Sequence, residues 1–238
     1  MKTNSNSRAD LGTLDTSGTA TRQDNHSDQP VEYSGRVRYT EKKSRDYQKR
    51  SQARDKAELR LIERAFRGLP KGRVLDVPCG GGRVSEFLAQ QGHALTAADL
   101  SGPMREIARE KFRLAGLNIP VLEEDVEKLT CAPASFDTVI CFRLFHHFPN
   151  PAIRRRAVLE LCRVARSHVA LSYFSPASFS ALERGWRAFR SGRPPHKFAT
   201  PLSELEGYFR EGGFVLLRDY AQLPFFHTLH LAVFRRQS

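Results

Sequence analysis

The central part of the chain alternates between short apolar runs and longer segments whose apolar residues recur at helical spacing. The apolar runs predict β-strands at residues 72–77, 94–98, 120–122, 136–142 and 168–174. The longer segments predict helices over 45–69, 83–91, 101–114 and 151–165. Strands that alternate with helices in this way indicate a parallel sheet with helices on both of its faces.

The pattern changes after residue 200. A predicted helix over 201–211 is followed by two strand-like segments, 214–220 and 228–234. The link between these two segments is so short that they can pair only as an antiparallel hairpin. The predicted fold class is therefore α/β: a Rossmann-like, doubly wound, mostly parallel seven-stranded sheet that ends in an antiparallel hairpin, with helices on both faces.

Residues 175–200 interrupt the regular alternation at the sheet edge where open α/β folds bind ligands. They carry three large rings, Phe179, Trp186 and Phe189, among several basic residues. We interpret this segment as a lid or substrate insertion, in which Trp186 binds the substrate. The alternative is that Trp186 packs the segment onto the core.

The two ends of the chain differ in composition. Residues 1–34 are polar with few apolar positions, which predicts a disordered tail before a domain over 35–238. No apolar run is long enough to span a bilayer, and the polar N-terminus is not typical of a secretory signal. The four cysteines form no C-x-x-C pair, so we expect neither a metal site nor disulfides, and a reducing cytoplasm is the simplest location.

The chain is strongly basic, with a formal net charge of +12. The charge is concentrated over residues 36–60, 154–156 and 184–197. A solvated basic surface would explain it. So would attraction to nucleic acid, to an acidic substrate, or to an anionic membrane in peripheral contact. Composition alone leaves these alternatives open.

The most informative segment is VLDVPCGGGR, residues 74–83. It predicts a strand, a glycine-rich loop and the start of a helix. Glycines let the backbone come close to a ligand, and the helix start offers free N–H groups. A dinucleotide fingerprint requires a third glycine where this chain has Ser85. The segment resembles more closely the first motif of class I S-adenosylmethionine-dependent methyltransferases. Asp76, Gly80 and Gly82 match that motif, whereas Pro78 stands where a glycine is usual.

Three later segments resemble further motifs of this family in the expected order. They are TAADLSGPM (96–104), EEDVEKL (123–129) and SFDTVICFRLFHHF (135–148). The resemblance implies S-adenosylmethionine as cofactor. The glycine-rich loop and Asp76 would hold its amino-acid end, Asp99 the ribose hydroxyls, and Asp125 with the Val126 backbone the adenine. The cofactor-binding residues implied by the resemblance are Asp76, Pro78, Cys79, Gly80, Gly82, Asp99, Leu100, Asp125, Val126 and Phe142.

Candidate catalytic groups follow the fourth strand. His146 and His147 lie just past it, and a neutral imidazole can accept a proton from a hydroxyl or an acidic carbon. The alternative is that one histidine is packed while the other orders the loop. Arg143 precedes them and can pair with an anionic substrate group. A surface arginine at a strand end is the other interpretation.

The methyl acceptor is expected to be an O or C nucleophile of a small molecule of quinone, lipid or saccharide type. An RNA methyltransferase and a non-catalytic S-adenosylmethionine-binding protein are the alternatives. The loop after strand four lacks the Asx-Pro-Pro-aromatic sequence of adenine amino methylation. Cys79 follows a proline, as in cytosine C5 enzymes, but it lies in the cofactor loop, so we interpret it as structural.

Overall fold

The computed structural model describes residues 52–176, 190, 197–222 and 228–237. All of them belong to the unit formed by residues 32–238. The predicted tail over 1–34, Trp186 and most of the 175–200 segment lie outside the described residues. No described helix is long and apolar enough to cross a membrane.

The described elements follow the predicted alternation. The helices are α1 (Gln52–Phe66), α2 (Arg83–Gln90), α3 (Gly102–Leu114), α4 (Pro151–Val164) and α5 (Leu202–Glu211), with a short 3₁₀ helix at Phe145–His147. The strands are β1 (Arg73–Asp76), β2 (Ala94–Ala98), β3 (Val121–Leu122), β4 (Phe136–Cys141), β5 (Ala165–Phe174), β6 (Phe214–Ala221) and β7 (Leu229–Arg236).

The seven strands form one sheet in the order β3-β2-β1-β4-β5-β7-β6. The first five strands of this order are parallel, and β7 runs antiparallel to both of its neighbours, β5 and β6. The predicted fold class, including the terminal antiparallel hairpin, is therefore confirmed. The order reverses at β1, so β1 and β4 diverge into a crevice at their carboxyl ends, where open α/β sheets bind ligands.

Helices bury apolar side chains on both faces of the sheet. On one face, α4 and α5 contribute residues such as Leu161 and Phe209, and the Phe209 ring stacks on Phe234 of β7 with centroids 3.6 Å apart. On the other face, α1 and α2 contribute Ile62 and Leu88, both fully buried. This packing fixes the strand ends against each other, and therefore fixes the loops that follow them.

The last strand is longer than its apolar pattern predicts. β7 continues to Arg236, which pairs with Phe214 across the hairpin. The Arg236 guanidinium lies 4.6 Å from the centre of the Phe214 ring and donates to the backbone oxygens of Cys162 and Ala165 at 2.7 Å. A charged residue is therefore held in the sheet by carbonyl groups and an aromatic face, which a search for apolar runs cannot detect.

Gly82 ends the glycine-rich loop with φ at +79°, in the left-handed region. A Cβ built there would lie 2.7 Å from the Phe112 ring of α3. We expect Gly82→Ala to lower the free energy of unfolding by about 1–2 kcal/mol for the backbone and by about 1–3 kcal/mol more for overpacking.

The matched control is Gly92→Ala. Gly92 also has positive φ, at +87°, but nothing lies within 4 Å of a Cβ built there, so only the backbone term applies. Urea denaturation of both variants measures the difference. Equal losses in the two variants would contradict the proposed contact with Phe112.

Candidate active site

A cavity of about 970 Å³, partly open to solvent, lies at the carboxyl ends of β1, β2 and β4. The lining residues come from the loops after β1 to β4 and from the starts of α2 and α3. They are Val77, Pro78, Cys79, Gly80, Gly81, Arg83, Val84, Asp99, Leu100, Ser101, Met104, Glu124, Asp125, Val126, Phe142, Arg143, Leu144 and His147.

The glycine-rich loop is anchored to the end of β2. The Cys79 N–H donates to the Ala98 oxygen at 2.7 Å, and the Gly80 N–H donates to Asp99 Oδ2 at 2.8 Å. Positive φ angles occur at Gly80 and Gly82, where glycine has no Cβ to clash. Proline fixes φ at about −65°, and the positive φ angles of this loop occur at the two glycines and not at Pro78. Pro78 is therefore compatible with the loop.

Asp99 connects two loops beside the cavity. Its Oδ2 accepts from Gly80, and its Oδ1 accepts from the Ser101 N–H at 2.8 Å. Burial raises the pKa of this carboxyl, and the two backbone hydrogen bonds oppose that rise. A carboxylate oxygen can accept more than one hydrogen bond, so Asp99 can also accept from ligand hydroxyls.

Two further acids make this end of the cavity negative. Asp125 lines it, and its Oδ1 accepts from the Glu127 N–H at 3.0 Å, which fixes the turn after β3. Glu124 also lines it, is buried, and accepts from the Thr130 backbone and hydroxyl at 2.8 and 2.6 Å. The sequence analysis did not identify Glu124, although it stands next to Asp125 in the quoted motif.

Two predicted cofactor-binding residues, Asp76 and Gly82, do not line the cavity. Asp76 is fully buried beneath the loop, where its Oδ2 accepts from the Ser85 hydroxyl at 2.6 Å. Gly82 faces the Phe112 ring, as described above. Asp76 supports the loop from below and Gly82 allows α3 to approach, and direct contact of either with the cofactor stays a prediction.

The opposite end of the cavity is basic. Arg83 and Arg143 both line it, and both bind Glu58 of α1, with shortest distances of 2.6 and 3.1 Å. The sequence analysis named Arg143 but missed Arg83 and Glu58. A signal for Glu58 existed, since it shares a helix face with Leu61, Ile62 and Ala65, at positions i, i+3, i+4 and i+7.

The two histidines of the 3₁₀ helix occupy different environments. His147 lines the cavity, whereas His146 does not. The His146 ring is 1% exposed and stacks on Phe174 with centroids 4.0 Å apart and planes 5° apart. The packing of this ring against β5 favours the alternative that His146 is structural, and a catalytic role for it stays a prediction.

The remaining candidates are a thiol, a metal site and Trp186. Cys79 lines the cavity, but burial and the nearby Asp76 raise the pKa of its thiol, so it is a poor nucleophile. Among the described residues, no group of three or more His, Cys, Asp or Glu side chains could hold a metal ion. Trp186 lies outside the described residues.

Known proteins resemble this chain in sequence. The family described as "Methyltransferase domain" matches residues 74–168. A ubiquinone biosynthesis O-methyltransferase from Xanthomonas euvesicatoria is 32% identical over 154 residues, which cover 62% of this chain and 64% of that protein. One from Xylella fastidiosa is 38% identical over 95 residues, covering 40% and 37%. The chain thus spans less than two thirds of the length of these relatives.

Solved structures resemble it in fold. Magnesium protoporphyrin IX methyltransferase from Synechocystis with bound SAH has a TM-score of 0.64 and 23% identity, covering 78% of this chain and 83% of that chain. A Pyrococcus horikoshii protein has a TM-score of 0.63 and 18% identity, covering 79% and 93%.

The sheet order, the glycine-rich loop and the cavity beside it define a Rossmann-like methyltransferase fold. The match over residues 74–168 and the shared fold support a class I S-adenosylmethionine-dependent methyltransferase domain. The resemblance inferred from the sequence motifs is confirmed.

Asp76 gives the domain a testable pH dependence. Burial, opposed by the Ser85 hydrogen bond and assisted by the nearby Asp99, raises the Asp76 pKa to about 7. Between about pH 4 and pH 7 the folded protein therefore binds more protons at this site than the unfolded chain, and stability falls as the pH rises. Asp76→Asn should remove up to about 4 kcal/mol of this fall.

Urea denaturation of the ligand-free protein at several pH values between 4 and 8 measures the effect. Glu110→Gln, which changes a fully exposed carboxylate of α3, is the control and should leave the fall in place. The assignment is contradicted if the Asp76→Asn protein loses stability with pH as steeply as the unchanged protein.

Proposed function

We propose that this protein transfers a methyl group from S-adenosylmethionine to a hydroxyl oxygen of a small molecule, with a phenol or a similarly acidic hydroxyl as the acceptor group. The observation that carries the proposal is that one cavity is lined at once by the glycine-rich loop, Asp99, Asp125 and His147. The relatives named as O-methyltransferases of ubiquinone biosynthesis support oxygen as the acceptor atom.

The residues present fit the cofactor. Asp99 accepts a hydrogen bond from the loop and can also accept from a ribose diol. Asp125 and Val126 line the same cavity and can bind an adenine edge. Pro78, Cys79, Gly80, Leu100 and Phe142 complete this part of the lining. When bound, S-adenosylmethionine supplies a methyl group on a positively charged sulfur, which the acceptor oxygen displaces.

His147 is the proposed base. It lines the cavity on the loop after β4, where an acceptor hydroxyl would lose its proton to the imidazole. A phenol, with a pKa near 10 as in tyrosine, is within reach of such a base. A hydroxyl as weakly acidic as water, with a pKa of about 15.7, is much less so. A phenolic or enolic acceptor is therefore favoured over a saccharide hydroxyl.

The basic composition does not carry a nucleic-acid proposal. The arginine run at 154–156 is paired internally: Arg154 binds Glu204 at 2.7 Å, Arg155 binds Glu211, and Arg156 binds Glu127 at 2.6 Å. These contacts neutralise much of one basic segment. The four cysteines are free thiols, which supports the proposal that the protein works in the cytoplasm.

Incubation with methyl-labelled S-adenosylmethionine and a fractionated cell extract tests the activity. We expect the labelled methyl group in the small-molecule fraction. Mild alkali should not release it from the product, because an aryl methyl ether resists alkali whereas a methyl ester is hydrolysed. Label in RNA, alkali-labile label, or no transfer at all would contradict the proposal.

Asp99 tests the cofactor assignment. Loss of charge-assisted hydrogen bonds costs about 1.5–3 kcal/mol, so Asp99→Ala should bind S-adenosylhomocysteine about tenfold or more weakly in calorimetry. Glu110→Ala, which removes an exposed carboxylate of α3, is the control. Thermal melting shows whether the variant is folded, and unchanged affinity in a folded Asp99→Ala protein would refute the role.

The two histidines should respond differently to replacement by alanine. His147→Ala should reduce the rate of transfer to a phenolic acceptor by roughly 10²- to 10⁴-fold in protein that thermal melting shows to be folded, as expected for loss of a general base. His146→Ala should instead lower the free energy of unfolding by about 1–3 kcal/mol, because it removes a packed ring. The reverse pattern would exchange the two roles.

A further inference from the structure

The basic end of the cavity is built by three side chains from three separate segments. Glu58 comes from α1, Arg83 is the first residue of α2, and Arg143 follows β4. One Glu58 oxygen, Oε2, lies 2.6 Å from Arg83 Nη2, and the other, Oε1, lies 3.1 Å from Arg143 Nη1. A single carboxylate therefore spans the two guanidinium groups.

Burial makes this arrangement specific. The Glu58 side chain is 1% exposed, and a carboxylate so buried requires charged partners. The two arginine side chains keep 18% and 19% exposure, and both line the cavity. Glu58 is buried and is not among the residues that line the cavity, so it can fix the positions of the two guanidinium groups that do.

The backbone at Arg143 is unusual. Its φ is +67°, in the left-handed region that a residue with a side chain rarely adopts. The Arg143 N–H is held in this conformation by the fully buried Ser172 hydroxyl, at 2.6 Å. Arg83 Nη1 also lies 3.6 Å from Asp55 Oδ1, so the two arginines face two acids, Asp55 and Glu58, and the cluster is balanced in formal charge. Strain of this kind is concentrated at ligand sites.

The acids and the arginines of the cavity follow different strands. Asp99, Glu124 and Asp125 follow β2 and β3, whereas Arg83 follows the loop after β1 and Arg143 follows β4. A guanidinium has five N–H donors in a planar fork that matches a carboxylate, so an arginine bound to Glu58 through one nitrogen can also bind a ligand oxygen. The basic end therefore favours a ligand group that is anionic and planar.

We propose that Arg83 and Arg143, positioned by Glu58, form a carboxylate-binding subsite, in which Arg143 binds a carboxylate of the methyl acceptor. Arg143 and His147 lie on the same short loop after β4 and both line the cavity, so one loop would hold the acceptor by its acid group and deprotonate its hydroxyl. This inference rests on the proposed function and narrows the acceptor to a hydroxylated carboxylic acid.

The methionyl carboxylate of the cofactor is a second source of the same chemistry. Arg83 directly follows the glycine-rich loop, so we assign that carboxylate to Arg83 and the acceptor's carboxylate to Arg143. The two assignments separate when the cofactor position is already filled. An acceptor probe added to protein saturated with S-adenosylhomocysteine reports on Arg143.

The acceptor arm compares 3,4-dihydroxybenzoate with its neutral isostere 3,4-dihydroxybenzamide, by calorimetry on protein saturated with S-adenosylhomocysteine. We expect the acid to bind at least about tenfold more tightly, as for a charge-assisted pair. Arg143→Gln should reduce this preference to within about twofold. Arg155→Gln, which removes a half-exposed arginine of α4 that binds Glu211, should leave the preference unchanged.

Arg143→Gln leaves Glu58 with Arg83 as its only described arginine partner, so this variant could lose stability. The double variant Glu58→Gln/Arg143→Gln removes one charge of each sign, so it leaves no unpaired charge at this position. It should also lose the preference for the acid.

The cofactor arm compares S-adenosylhomocysteine with 5′-methylthioadenosine, which lacks the carboxylate. Arg83→Gln should reduce the preference for the former, and Arg143→Gln should not.

Equal binding of the benzoate and the benzamide, or no binding of either, would overturn the proposal. Acid binding that occurs only without S-adenosylhomocysteine would also overturn it and assign both arginines to the cofactor. These failures are distinct from failure of the proposed function, which would appear as absent S-adenosylhomocysteine binding or absent methyl transfer with every acceptor.

Discussion

The site depends on one interaction, the pair of hydrogen bonds that the Asp99 carboxylate accepts from Gly80 and Ser101. Asp99 follows β2, the Gly80 loop follows β1, and Ser101 caps α3 by accepting from the Met104 N–H. A single acid therefore joins a strand end, a ligand-binding loop and a helix start. Without it, the loop would keep the Cys79 bond to Ala98 of β2 but lose its link to the start of α3.

Asp76 and Asp99 show how the same side chain can take opposite roles a few residues from one loop. Both are buried, and burial raises the pKa of each. Asp99 accepts two backbone N–H groups, which favour its charged form. Asp76 accepts from the Ser85 hydroxyl and backbone, but it is more deeply buried and the Asp99 charge further disfavours its anion. The anionic form is thus favoured more at Asp99, beside the cavity, than at Asp76, in the core beneath the loop.

The fold could be predicted from the sequence because it depends on the periodicity of apolar residues. The cavity-lining residues next to strand ends, such as Asp99 and Asp125, could be predicted from their motifs. The residues that line the cavity could not be predicted in the same way. Asp76 and Gly82 match the motif but are not among the lining residues. His146 and His147 are neighbours in sequence, and His147 lines the cavity whereas His146 does not. Glu58 was missed because it is far from the motifs in sequence, and only packing of α1 brings it to Arg83 and Arg143.

Through its two arginine partners, Glu58 joins the glycine-rich loop to the loop after β4. A buried carboxylate between two arginines cannot lose either partner without leaving charge uncompensated. Arg83 is attached to the cofactor loop and Arg143 to the loop that carries His147, so a displacement of one guanidinium changes the field at the other. The helix α1 supplies this carboxylate from outside the strand–helix alternation. Its docking on the sheet is therefore a requirement for a complete site, and not only for a covered core.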